Sequence, residues 1–156
     1  MPKEKLLIGR NEDIDLPDLK LRGLDAKIDT GAYTSSMHCH HIETCFEGAD
    51  EILKFRLLDP EHPRYQSKTF KFRNFKYRKV KSSNGVIEKR FVIKTNLKIY
   101  NKVFETEFTL TDRSDMKSPV LLGRKFIKQG FIVDVNKRDF ASKNLKCKLI
   151  ITKEKK

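Results

Sequence analysis

Apolar residues recur at every second position along most of this chain, and that spacing confines it to β-structure. Leu24, Ala26 and Ile28 alternate with Asp25 and Lys27. Phe104, Thr106, Phe108 and Leu110 share one face, opposite Glu105, Glu107 and Thr109. A strand turns successive side chains to opposite sides, so a period of two buries one face and wets the other. Residues 52–58, 69–81, 91–94, 97–100, 131–135 and 145–152 read as further strands. Asn84-Gly85 predicts a two-residue type I′ hairpin turn, because both central positions need positive φ. One short helix is expected from Arg124 to Gln129, ended by Gly130. With 156 residues and no Gly/Ser linker, the chain reads as one all-β domain over 1–152. Residues 153–156 read as a disordered, solvated tail.

Charge is spread unevenly along this frame. Lys and Arg number 34 against 21 Asp and Glu, a formal net charge of +13. Residues 1–62 hold 8 basic and 13 acidic groups, whereas residues 63–156 hold 26 and 8. Between Arg64 and Lys102, 13 basic residues face a single acid, Glu88. A basic stretch interleaved with Phe70, Phe72, Phe75 and Tyr77 suits nucleic acid, an acidic peptide or an anionic surface. It equally suits a strand pair with a solvated basic face. No run approaches the roughly 18 apolar residues that span a bilayer, and Leu6-Leu7-Ile8 is too short for a signal-peptide core. No membrane partner is expected. Cys39, Cys45 and Cys147 are few and odd in number, which argues against a disulfide scaffold and for a reducing, cytoplasmic setting.

One motif carries chemistry. Asp29-Thr30-Gly31-Ala32 follows directly on the strand that ends at Ile28. A carboxylate there is held by the end of a sheet, and Gly31 allows a close backbone approach. A capping Asp in a tight turn has the same signature. Downstream, Pro119-Val120-Leu121-Leu122-Gly123-Arg124 is a second apolar strand that ends in Gly-Arg and leads into the expected helix.

Together these segments resemble the retropepsin-like aspartic proteases, in which a D-T/S-G-A turn carries the catalytic Asp and a later apolar strand passes behind it. The resemblance implies a closed barrel with a flap hairpin and one short helix. It implies Asp29 as the catalytic residue, and Thr30, Gly31, Ala32, Leu122, Gly123 and Arg124 as the support of its turn. The hairpin through Asn84 and Gly85 occupies the place of the flap. Ile8-Gly9-Arg10, Leu16-Pro17, Thr34-Ser35-Ser36, His38 and the run from Phe108 to Met116 narrow the match. They are similar to the RimK-associated branch, often labelled "ATP-dependent zinc protease". Some of its members are tied to the removal of glutamate tails added by an ATP-grasp ligase.

An aspartic protease needs two carboxylates, yet Asp-Thr-Gly occurs once, and Asp112, Asp115, Asp134 and Asp139 lack the motif. A homodimer with one Asp29 from each copy is therefore expected. Arg73, Arg78, Lys79, Lys81 and Arg90 are expected to line a positive cleft around the flap, favouring an acidic, glutamate-rich peptide over nucleic acid by field. Retroviral relatives place an acid just after the turn to pair with the Gly-Arg arginine; here Tyr33-Thr34-Ser35-Ser36 stands there. Asp112 or Asp25 is then the expected partner of Arg124.

Two competing readings remain at the level of sequence. The same fold with a silent site would be a binding module for acidic peptide or nucleic acid. Alternatively, His38, Cys39, His40, His41 and Cys45 offer zinc ligands. They cluster within eight residues without the paired spacing of tetrahedral sites, and there is no His-Glu-x-x-His helix. No metal and no cofactor is expected, and no phosphate-binding Gly-x-x-x-x-Gly-Lys-Ser/Thr loop is present.

Overall fold

A computed structural model describes residues 5–58, 60–81, 84–112 and 118–144, the side chains at 80 and 81 excepted. The expected strand at 145–152, the tail at 153–156, the stretch 113–116 and the Lys81 side chain lie outside these residues.

Eleven strands and two short helices are described. The strands are β1 Leu6–Ile8, β2 Asn11–Leu16, β3 Leu21–Ile28, β4 Ser35–Glu47, β5 Asp50–Leu57 and β6 Phe70–Phe72. They continue as β7 Lys76–Lys81, β8 Ile87–Ile99, β9 Lys102–Thr111, β10 Val120–Leu122 and β11 Phe131–Val133. The helices are α1 Arg124–Ile127 and α2 Phe140–Lys143. The all-β expectation holds, and α2 adds one turn of helix to the one expected.

Six strands close on themselves in the order β10-β3-β2-β8-β9-β4, because β4 pairs back to β10. The alternating residues of β3 supply Leu24, Ala26 and Ile28 to the core of this ring, where β9 supplies Phe108 and Leu110. β10 adds Val120 and Leu122. The two apolar runs at 91–94 and 97–100 fuse into β8, since Thr95 and Asn96 simply pair with Thr106 and Glu105 of β9. The run at 69–81 divides instead: β6 pairs with β5, and β7 pairs with β8.

β4 serves two sheets. Its first residues run parallel to β9, Ser35 opposite Phe108 and His38 opposite Thr111. The register then slips between His40 and Glu43 as it pairs with β5, and His41 takes φ +53°. Such a bulge bends a strand, and here it carries β4, β5 and β6 out of the ring.

Candidate active site

β10 is threaded between β3 and β4. It runs parallel to β3, with Leu122 opposite Ile28, and antiparallel to β4, with Leu121 opposite Ser36. Residues 29–34 connect β3 to β4, so they must cross over the C-terminal end of β10. Backbone bonds fasten the crossing. The Asp29 N–H donates to the Leu122 carbonyl at 2.8 Å, and the N–H groups of Arg124 and Lys125 donate to the carbonyls of Ala32 and Tyr33 at 2.8 and 2.9 Å. The Gly123 N–H donates to Ser35 Oγ at 3.1 Å.

Gly123 is required by space rather than by its φ of −94°. A Cβ there would lie 2.7, 2.8 and 2.9 Å from the carbonyl oxygens of Thr34, Tyr33 and Ala32. Leu122 is buried in the core, and Gly123 lies directly against the backbone of the turn.

Asp29 sits half-buried at the head of this turn. Its Oδ1 accepts from the Gly31 N–H at 3.0 Å, and its carbonyl accepts from the Ala32 N–H at 3.2 Å. The carboxylate is therefore oriented by backbone while part of it faces solvent. Thr30 and Gly31 are exposed beside it.

Arg124 finds a different partner from the two expected. Its Nη1 donates to the Thr30 carbonyl at 3.1 Å, and its guanidinium lies 5.7 Å from the centre of the Tyr33 ring. Asp25 instead accepts from Ser118 Oγ at 3.1 Å. Among the described residues Arg124 forms no ion pair with Asp25 or Asp112. With no acid after the turn, the arginine caps a backbone carbonyl and covers an aromatic face.

The hairpin expected as a flap is β7–β8. The described ladder ends with Lys81 opposite Ile87; the two-residue turn expected from Asn84-Gly85 is flanked by residues 82 and 83, which lie outside the described residues. Gly85 has φ +85°, and Asn84 Oδ1 accepts from the Val86 N–H at 3.3 Å. The loop end is apolar and open, with Val86 and Ile87 exposed by 55% and 64%.

Four of the five expected cleft cations have described side chains. Arg73 lies 2.7 Å from Asp50 and 3.8 Å from Glu47. Arg78 lies 2.6 Å from Glu107, and Arg90 lies 3.3 Å from Glu88. Lys79 is exposed on β7, opposite Lys89. Glu107 gathers Lys76 and Lys125 as well, at 3.0 and 3.2 Å, and so ties β7 and α1 to β9. Burial pushes its carboxyl up, but hydrogen bonds from Lys76 and Lys125 outweigh this and hold it below the ordinary value.

His38, Cys39, His40, His41 and Cys45 are strung along β4. Cys39 is buried and its thiol is pushed well up by that burial. The one group of three ligand-type side chains among the described residues is Asp13, Asp25 and Asp139. Its members come from three separate segments, and no sequence spacing announces them. Glu12 is a second residue that the motifs passed over. It is fully buried, and its carboxylate accepts from the N–H groups of Gly9 at 2.7 Å, Phe140 at 3.0 Å and Ala141 at 2.9 Å. Burial raises its pKa against those three bonds. The signal was its parity with Ile14 and Leu16, which marks position 12 as inward-facing.

Comparison with known proteins agrees with this geometry. A protein named "Probable alpha-L-glutamate ligase" from Desulfotalea psychrophila is 34% identical over 130 residues, 83% of this chain and 28% of that protein. One of the same name from Shewanella halifaxensis is 33% identical over 134 residues, 86% of this chain and 29% of that protein. The chain thus spans under a third of the length of these curated relatives. A crystal structure of a Legionella pneumophila protein of unknown function superposes with TM-score 0.65 and 29% identity, covering 85% of this chain and 95% of the other. The model of the RimB-like family, described as retropepsin-like aspartic endopeptidase RimB, matches residues 7–144. On the threaded strand, the Asp-Thr-Gly turn and this match, the chain belongs to the RimB-like family of retropepsin-like aspartic endopeptidases.

Proposed function

We propose that this chain is a homodimeric aspartic peptidase acting on glutamate-rich peptides, with Asp29 of each copy supplying one carboxylate. The observation that carries the reading is the single Asp-Thr-Gly turn between β3 and β4, bonded to the end of β10, its carboxylate fixed by the Gly31 N–H and half open to solvent. One such turn gives one carboxylate, whereas hydrolysis of an amide by water takes a base and an acid together. A two-fold axis beside the turn brings the second.

Two carboxylates at about 3 Å cannot both ionise, so they share a proton and titrate as a pair. The ionised member takes a proton from water as the water oxygen attacks the amide carbon. The protonated member hydrogen-bonds the carbonyl oxygen, and the leaving nitrogen is protonated as the C–N bond breaks. Thr30, exposed beside Asp29, braces one turn against the other, and Gly31 offers its backbone to the substrate. The β7–β8 hairpin closes over the peptide with its apolar end. The relatives' name, alpha-L-glutamate ligase, points to glutamate-bearing chains as the shared substrate class.

The test is cleavage of a peptide with an oligoglutamate tail, followed by mass spectrometry, together with sedimentation of the protein. Wild type should be dimeric and cleave, and Asp29→Asn should remain dimeric without cleaving. A monomer that cleaves at full rate, or an active Asp29→Asn, would refute the dyad. Equal rates on neutral and acidic peptides would refute the substrate class.

A further inference from the structure

At the end of β3 away from Asp29, four cations from three separate segments of the chain meet in one cavity. Lys20, Arg22, Arg64 and Lys98 line an open space of about 770 Å³, with Asp15 as the acid in its wall. The described lining therefore carries a net charge of +3. Asp15 is already engaged, since its Oδ1 accepts from the Gly23 N–H at 2.9 Å. Among the described residues none of the four cations forms an ion pair, although the charge of Arg64 also reaches Asp13.

Backbone geometry brings these charges together. Lys20 sits at φ +56°, a region that L side chains enter at a cost of about 1–2 kcal/mol, and its carbonyl accepts from Gln66 Nε2 at 3.1 Å. Gly23 has φ +65°, and Arg64 Nη2 lies 3.3 Å from where its Cβ would be. Two segments over forty residues apart are thus fastened so that their basic side chains share one opening.

We propose that this cavity binds a carboxylate-rich peptide segment, as an anchor separate from the catalytic turn. Leu21 and Asp29 are eight residues apart on and just beyond β3, about 25 Å at the rise of a strand. Arg22 and Arg64 offer forked donors suited to carboxylates, and the lysines offer point charges. A single-stranded nucleic acid would need free aromatic faces for its bases. The one aromatic ring in the wall, Tyr65, is stacked on His40 with centroids 5.7 Å apart. The proposal deepens the acidic-substrate reading above and rests on it for the choice of peptide.

The experiment measures fluorescence anisotropy of a labelled ten-residue oligoglutamate on the full chain, with single-stranded DNA of equal charge as a second probe. Lys20→Asn with Lys98→Gln removes two charges, and Asn tolerates the positive φ at position 20. That pair should weaken oligoglutamate binding about tenfold at low salt, an effect lost as salt screens it. Lys102→Gln, on β9 and outside the cavity, should change it less than about twofold. Cleavage of a short neutral peptide should be unchanged in all variants. An equal loss in Lys102→Gln, no loss in the pair, or tighter binding of DNA than of oligoglutamate would each overturn the proposal. If wild type binds oligoglutamate through the cavity yet cleaves nothing, the anchor stands and the peptidase reading fails. If wild type cleaves without cavity-dependent binding, the peptidase reading stands and the anchor fails.

Discussion

Gly123→Ala should damage this protein more than any glycine substitution at an open turn. The new methyl carbon would meet three carbonyl oxygens at 2.7, 2.8 and 2.9 Å, inside the roughly 3.3 Å at which carbon and carbonyl oxygen normally touch. All three belong to the backbone of residues 32–34, so no rotamer change relieves the clash. Moving that backbone also stretches the bonds from Arg124 and Lys125 to the carbonyls of Ala32 and Tyr33. Overpacking costs about 1–3 kcal/mol, and each weakened hydrogen bond adds roughly 0.5–1.5 kcal/mol. The stiffer unfolded chain returns about 0.4–1 kcal/mol. The net is about 3 kcal/mol, or roughly 6–12 °C in melting temperature for a domain of this size. The control is Gly48→Ala, where φ is +66° but nothing lies within 4 Å of a Cβ. It should lose only about 1 kcal/mol, the left-handed penalty less the gain from the unfolded chain. Melting followed by circular dichroism decides between them. If Gly123→Ala melts within about 2 °C of wild type, or no lower than Gly48→Ala, then β10 is not clasped by the 32–34 backbone in the way the distances require.

Glu107→Gln should cost about 2 kcal/mol, between the values for exposed and buried pairs, because its three cations lose their shared partner. Its carboxyl lies below the ordinary value of 4.5 in the folded chain. The stability it adds is therefore present above that value and lost as pH falls through the lowered one, and the gap to Glu107→Gln in denaturant unfolding should close on acidification. Glu12 has the opposite sign. Its carboxyl lies above 4.5 when folded, so its contribution is full below 4.5 and lost as pH rises through the raised value. Wild type's advantage over Glu12→Gln should therefore shrink as pH rises above 4.5 through the raised value, and a constant gap would refute the reading.

Much of the fold was legible because strands announce themselves by parity. The pattern in 24–28 and 104–110 placed β3 and β9, and the Leu121-Leu122-Gly123 run placed β10. Parity failed where backbone conformation broke it. Nothing in residues 35–47 marks the bulge at His41, whereas the Asn84-Gly85 signal did predict the β7–β8 hairpin. The motif located Asp29 and Gly123, since each depends on neighbours close in sequence or on a shape only glycine fills. The partner of Arg124 was not legible. It is a carbonyl, which every residue carries, so no side-chain identity points to it.

Charge shows the same limit more sharply. Residues 64–102 read as a basic block with one acid, and that count suggested a positive flap. In the folded chain acids from elsewhere come back to it: Glu47 and Asp50 meet Lys71 and Arg73, and Glu107 meets Lys76 and Arg78. Those cations fasten strands to one another, and their field at a distance is correspondingly reduced. The cations left without such partners at the far end of β3 include Lys20 and Arg22, which belong to the acidic part of the sequence. A linear charge count measures what a chain can neutralise internally as much as what it can attract. What remains after pairing is a property of the fold, and here it includes the cavity beside Lys20, which no count along the chain marks.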